Sequence, residues 1–286
     1  MSKVAHTAQG RISRFFDILG RSMIAAGLLL LSFVAYQLWG TGLSEGRAQN
    51  TLAAQFVTQQ PTKPKFGGLV GRISIPSIGL SKFVVAGVRL SDLKKGPGLF
   101  AGSPLPGQLG NVAIAGHRTT YGAPFGRIDE IHDGDVISLE SDNGKFTYIV
   151  KGEPRIIAAT DTAVARTTDP TTATLTLVSC HPKWTASQRI IVVATLDSSI
   201  APTQATPLAS PTSLQEPIRD GWFHDSAAWP LVLLLGIVLI AIAVIAIISS
   251  RRGLNKIFVY ALATVFFVPI LFFFFTGLSR LLPTNI

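Results

Sequence analysis

The stretch "TLTLVSCHPKWTASQRIIVVATL", residues 174–196, decides how this chain is read. One apolar alternating run ends on Cys180, another begins just after Arg189, and residues 181–188 between them form the loop of a hairpin. Similar short runs precede it: "LVGRISIPSI" (69–78), "SKFVVAG" (81–87), "NVAIAGH" (111–117), "DVISLES" (135–141) and "KFTYIVKGEPRII" (145–157). They are rich in Val, Ile and Thr, are separated by Gly, Pro and Asp, and leave little room for long helices. This pattern predicts an all-β unit over residues 69–197, a closed antiparallel barrel of about eight strands with short helices. Asn143-Gly144 is a turn signal between two of the strands, and "FGRIDEI" (125–131) has room for one short helix.

Outside that unit the chain changes character. With 48% hydrophobic residues overall, it is too apolar for an ordinary soluble protein. Residues 22–39, 229–249 and 257–279 carry no charged group and are each long enough to cross a hydrocarbon core of about 30 Å. Lys3, Arg11, Arg14 and Arg21 precede the first run, and Arg251, Arg252 and Lys256 separate the other two. Basic flanks stay in the cytoplasm. The expected order is therefore a cytoplasmic N-terminus (1–21), an anchor (22–39), an extracellular linker (40–68), the barrel (69–197), a Pro-rich tether (198–228), a second span (229–249), a basic cytoplasmic loop (250–256), a third span (257–279) and an extracellular tail (280–286). A cleavable signal peptide would have an apolar region of about 7–15 residues and an A-x-A-like exit, which "GTGLSEGRAQ" does not offer. The net charge of +9 sits mostly on the membrane flanks, so no basic stripe remains that would argue for nucleic acid.

Cys180 is the chain's one cysteine, so no internal disulfide is possible. A buried free cysteine usually acts as a small apolar residue, but one at a strand end outside the membrane, with His and Arg in reach, suits a working thiolate. Such a nucleophile needs a proton partner and a group to steady the oxyanion. His6 and His224 are remote, His132 lies in a turn, and His181, as the next residue on the strand, points away from Cys180. His117 ends "NVAIAG" as Cys180 ends "TLTLVS", which allows both to meet at one rim. Arg189 flanks the same loop as Cys180 and brings a permanent, forked charge that favours the thiolate. No metal or organic cofactor is implied, because one Cys and scattered His make no ligand cluster.

"TLVSC" (176–180), with Arg189 nine residues on and "GHR" (116–118) upstream, resembles the sortases. These are membrane-anchored cysteine transpeptidases of Gram-positive bacteria with a TLxTC signature. Here Ser179 stands where Thr is usual. The stretch 96–135 most resembles the actinobacterial class E enzymes. The resemblance implies a transpeptidase that cleaves the Thr-Gly bond of an LPXTG- or LAXTG-like signal on secreted proteins through a thioester. It then joins the protein to a lipid II-like cell-wall precursor or a pilin lysine, on the outer face of the cell membrane. Cys180, His117 and Arg189 would be catalytic, while Phe100, Val178 and Ser179 would meet the substrate. Class E enzymes often have Tyr at the position of Phe100, associated with accepting Ala in place of Pro. The two C-terminal spans depart from the pattern. Two other readings remain: an L,D-transpeptidase-like acyltransferase, whose Ser-x-Gly-Cys-x-Arg spacing is absent here, and a membrane scaffold with a vestigial site.

Overall fold

The computed structural model of the chain describes residues 2–58, 65–185, 187–204 and 228–281. Its strands are β1 (Leu69–Ile75), β2 (Leu80–Ala86), β3 (Gly98–Leu99), β4 (Gly110–Ala115), β5 (Val136–Ser141), β6 (Gly144–Val150), β7 (Arg155–Ala158), β8 (Ala173–His181) and β9 (Gln188–Leu196). They join in the order β6-β5-β1-β2-β3-β4-β8-β9-β7, and a further β6–β9 pairing closes eight of them into a barrel. β7 lies outside the ring on the first half of β9, while β6 takes the second half.

Period-two alternation fills the interior. Ile73 and Ile75 of β1, Val112 and Ile114 of β4, Ile137 and Leu139 of β5, Leu175 and Leu177 of β8, and Ile190, Val192 and Ala194 of β9 share one core. Phe125, Ile128 and Ile131, from the segment after β4, pack into the same core. The barrel is mixed where the sequence suggested antiparallel pairing throughout: β2–β3 and β4–β8 run parallel. The latter pair forms because the chain makes a long excursion through β5, β6 and β7 before β8 returns to β4. The run 145–157 is two strands, broken at Lys151–Pro154, where Gly152 is left-handed with φ 74°. The β5–β6 turn is Asp142-Asn143, with Ser141 opposite Gly144.

Helices occupy both ends of the chain. α1 (Ser2–Ala35) continues through a π-helical turn (Tyr36–Gly40) into α2 (Thr41–Thr58), the single turn α3 (Leu90–Leu93) lies between β2 and β3, and α4 (Trp229–Arg251) and α5 (Lys256–Leu281) form the C-terminal pair. Three helical stretches are long and apolar enough to cross a membrane. Residues 41–58, expected as irregular linker, are helix α2, and its inner stripe explains the miss. Glu45, Gln49, Leu52 and Phe56 fall at helical spacing, but the first two are polar, so an apolar periodicity never registers. Glu45 pairs with Lys82 Nζ at 2.7 Å, and Gln49 exchanges hydrogen bonds with the backbone of Phe83 in both directions, at 2.8 and 3.0 Å. Leu52 and Phe56 pack on Leu69, Phe83 and Val85. Most of the expected tether, 198–228, and the tail beyond Leu281 lie outside the described residues, as does His224.

Candidate active site

Three neighbouring strand ends converge on one rim. In the antiparallel β8–β9 pair Cys180 is directly opposite Arg189. In the parallel β4–β8 pair Ala115 is level with Val178, and Gly116 N donates to Val178 O at 3.1 Å. Carrying that one-to-one register two residues further sets His117 level with Cys180. Because Val112, Ile114, Leu175 and Leu177 face the core, Ala115, His117, Val178 and Cys180 face the other way. His117, Cys180 and Arg189 therefore form a row across β4, β8 and β9 on the outer face of the barrel.

Alternation also separates the remaining residues. Ser179 points inward, and its Oγ donates to Gly116 O at 2.8 Å, which ties β8 to the backbone just before His117. The hydroxyl of the expected substrate-binding Ser179 thus holds the strand end together. His181 pairs with Gln188 and lies on the side opposite Cys180, where its buried Nδ1 has no hydrogen-bond partner among the described residues. Val178 shares the outer face with Cys180. So does half-buried Phe100, whose N–H donates to Ala113 O at 2.9 Å. Ala113 lies four residues before His117, so Phe100 stands roughly 13 Å along the strand from the row.

Cys180 is 2% exposed and His117 1%. Burial pushes the Cys180 thiol above its ordinary value, while the charges of Arg189 and then Arg118 pull it down. Arg118 is the residue that sequence reasoning passed over. Its side chain is buried; Nη1 donates to Cys180 O at 3.2 Å, Nε to Gly126 O at 3.3 Å, and Nη2 meets Asp129 Oδ1 at 2.8 Å. A guanidinium thus clamps the backbone of Cys180 to the segment after His117. The tripeptide "GHR" contained the signal, but Arg118 was only a motif letter until its partners in 126–129 were placed. Gly116 is required for a related reason: a Cβ there would sit 2.6 Å from the Phe125 ring. Tyr121, also missed, packs against His117 with ring centroids 5.1 Å apart and the planes tilted by 35°.

A sortase-domain family model matches residues 73–197. Sortase D of Bacillus subtilis is 30% identical over 177 residues, covering 56% of this chain and 86% of that protein. The chain belongs to the sortase family. Streptomyces coelicolor sortase SrtE1 is 27% identical, over 61% of this chain and 55% of its own length. The solved sortase E of Streptomyces avermitilis is 33% identical, over 52% of this chain and 99% of that one, with a TM-score of 0.43. The likeness to class E is supported by SrtE1 and by SrtE2 of the same organism, 28% identical over 160 residues, and the protein is a cysteine transpeptidase, as sortases are. Its apolar helices fit membrane association.

Proposed function

We propose that this sortase acts at the outer face of the membrane, with Cys180 as nucleophile, His117 as acid/base and Arg189 as the oxyanion and substrate clamp. The observation that supports this reading is the row of these three side chains on one face of β4, β8 and β9, with Phe100 on the same face further along β4. Cys180 passes its thiol proton to His117 as Sγ attacks the Thr carbonyl carbon of a Thr-Gly bond, the carbonyl oxygen takes the negative charge, and Arg189 stabilises it. The C–N bond then breaks, His117 gives a proton to the departing glycine nitrogen, and a thioester remains. An incoming amine, from a lipid II-like cell-wall precursor or a pilin lysine, loses its proton to His117, attacks the thioester and restores the thiol.

An extended signal has about 10 Å between its Thr and its Leu, which brings the Leu-Pro or Leu-Ala end within reach of the Phe100 side chain rather than level with its backbone. Val178 forms the floor between. A phenyl ring without a hydroxyl accepts a proline ring at least as well as a methyl group, so LPXTG is preferred over LAXTG by a modest factor. The catalytic unit faces outward, with residues 250–256 in the cytoplasm, because basic loops stay inside. Incubation of the full chain with an LPXTG peptide should give a Cys180 thioester detectable by mass spectrometry, and Cys180→Ala should give neither thioester nor product. Full turnover by the alanine variant would end this reading.

A further inference from the structure

The catalytic rim is the end of the barrel where β4 and β8 finish and β9 begins. Strand register shows which way the other elements run from it. Gly98 of β3 is level with Ala115 of β4, and β2 runs parallel to β3 with Val85 level with Gly98, so β2 starts at the rim and runs away from it. Helix α2 follows the same course. Its first residue, Thr41, is fully buried, and the Thr41 Oγ1 accepts the N–H of Tyr121, the residue whose ring meets His117, at 3.0 Å. Glu45 then pairs with Lys82 of β2, Gln49 bonds the backbone of Phe83, and Leu52 packs on Val85 and Leu69. α2 therefore begins at the catalytic rim and is fastened along β2 for about three turns as it leaves.

α1 and α2 form one helical stretch, joined by the π-helical turn, so α1 extends from Thr41 the opposite way, beyond the rim. The same end of α1 meets α5. Tyr36 Oη lies 3.1 Å from Thr276 Oγ1, and the rings of Phe33 and Tyr36 lie 5.2 and 5.3 Å from those of Phe275 and Phe272. Trp39 and Trp229, both exposed, stand at these helix ends, where an amphipathic indole suits the boundary between hydrocarbon and headgroups. Trp39 precedes Thr41 by two residues, a rise of about 3 Å. The rim, and not the far end of the barrel, therefore adjoins the bilayer that these helices would span. Another exposed tryptophan lies on that rim: Trp184, 66% exposed, in the turn after β8 and beside Lys183. At a headgroup layer the indole leaves water while the ammonium stays among the phosphates.

We propose that the catalytic rim faces the bilayer and that the turn after β8 rests in the headgroup layer through Trp184 and Lys183, so that the site opens onto the membrane surface and takes signals held there. The orientation rests on α1, α4 and α5 spanning a membrane; the use of membrane-held signals rests also on Cys180 being the nucleophile. β8 is nine residues long, about 30 Å, so a rim turned away from the lipid would stand at least that far from it.

The test uses the full chain in phosphatidylcholine nanodiscs. Cys180→Ala removes the chain's one cysteine, so a single fluorophore can be placed through Trp184→Cys, through Asn143→Cys in the exposed β5–β6 turn at the far end of the barrel, or through Leu30→Cys within α1. Lipids with a nitroxide on the headgroup should quench the label at 184 about twofold and leave the label at 143 within about a tenth of its unquenched value, since about 30 Å of barrel separates them. Lipids with the nitroxide in the acyl chain should quench the label at 30. Equal quenching at 184 and 143, or more at 143, would overturn the proposal, and an unquenched label at 30 would remove the spans on which it stands. With wild-type protein, a sorting-signal peptide tied to lipid by a tether of about 10 Å should turn over as fast as one on a tether of about 40 Å. Cleavage of the long-tethered peptide alone overturns the proposal. A peptide left intact on both tethers and free in solution refutes the catalytic reading instead, and the label positions still decide the orientation.

Discussion

Arg118→Met tests whether the buried guanidinium organises the nucleophile. The substitution removes three contacts: to Cys180 O at 3.2 Å, to Gly126 O at 3.3 Å and to Asp129 at 2.8 Å. Asp129 is half-exposed, so water replaces its partner, and the ion pair itself is worth little. The two carbonyls differ. A methionine fills much of the volume but offers no donor, and each buried acceptor left without one costs about 1–3 kcal/mol. Together they amount to about 2–6 kcal/mol, which in a barrel of this size lowers Tm by roughly 8–24 °C. The loss of charge also removes one of the two influences that pull the Cys180 thiol down. Thermal unfolding of the detergent-solubilised chain and the rate of Cys180 alkylation between pH 6 and 10 measure both effects. A Tm within 2 °C of wild type, together with an unchanged alkylation profile, would refute the clamp.

Three further outcomes follow from the same geometry. Because burial raises the Cys180 thiol, alkylation by iodoacetamide should have its midpoint above the ordinary thiol value of about 8.5, and Arg189→Ala should move it higher; a midpoint below that value contradicts the burial argument. The matching stability sign is a loss as pH rises through the ordinary thiol range, since the unfolded chain gives up its proton first. His117→Ala and Arg189→Ala should each cost at least about 10²-fold in kcat/KM, and His181→Ala, on the opposite face, far less; the reverse ranking would sink the strand-facing argument. In a Cys180→Ala background, a cysteine at Asn255 should resist an impermeant maleimide in intact cells and one at Thr284 should react, with the opposite pattern overturning the orientation.

The residues of the site were legible wherever chemistry and local periodicity coincide. Cys180 and Arg189 flank one short loop, so hairpin geometry alone pairs them. His117 was reached by eliminating four other histidines, and the parallel β4–β8 register supplies the physical reason for its place. That register was not legible, because strand order across a long excursion leaves no local trace. β3 was missed for a simpler reason: two residues, Gly98 and Leu99, are too few to alternate. Ser179 was counted with Val178 as substrate-facing because both sit in the motif, although neighbours on a strand face opposite ways. α2 and Tyr121 were hidden because the partners of Glu45, Gln49 and Tyr121 lie on elements distant in sequence. Arg118 stood inside a quoted motif, yet a buried arginine cannot be told from a solvated one until its carbonyl partners are in place.

The two arginines beside Cys180 divide the electrostatic work. Arg118 is fixed by three contacts and is shielded by Asp129, so its fork is already committed to backbone and carboxylate. It holds Cys180 in place and adds a steady positive field, the smaller of the two at the thiol. Arg189 exerts the larger field from the rim, half-buried and opposite Cys180, where Nη1 bonds the carbonyl of neighbouring Gln188 at 3.0 Å. A half-buried guanidinium at the rim can reorient toward a developing oxyanion, whereas a clamped one cannot. Burial disfavours the thiolate at Cys180, and a thiol reacts more slowly with oxidants than a thiolate does. Both guanidiniums carry a permanent charge, so the field around Cys180 is fixed, and in the proposed reaction the proton traffic falls to the thiol and the imidazole that the β4–β8 register sets side by side.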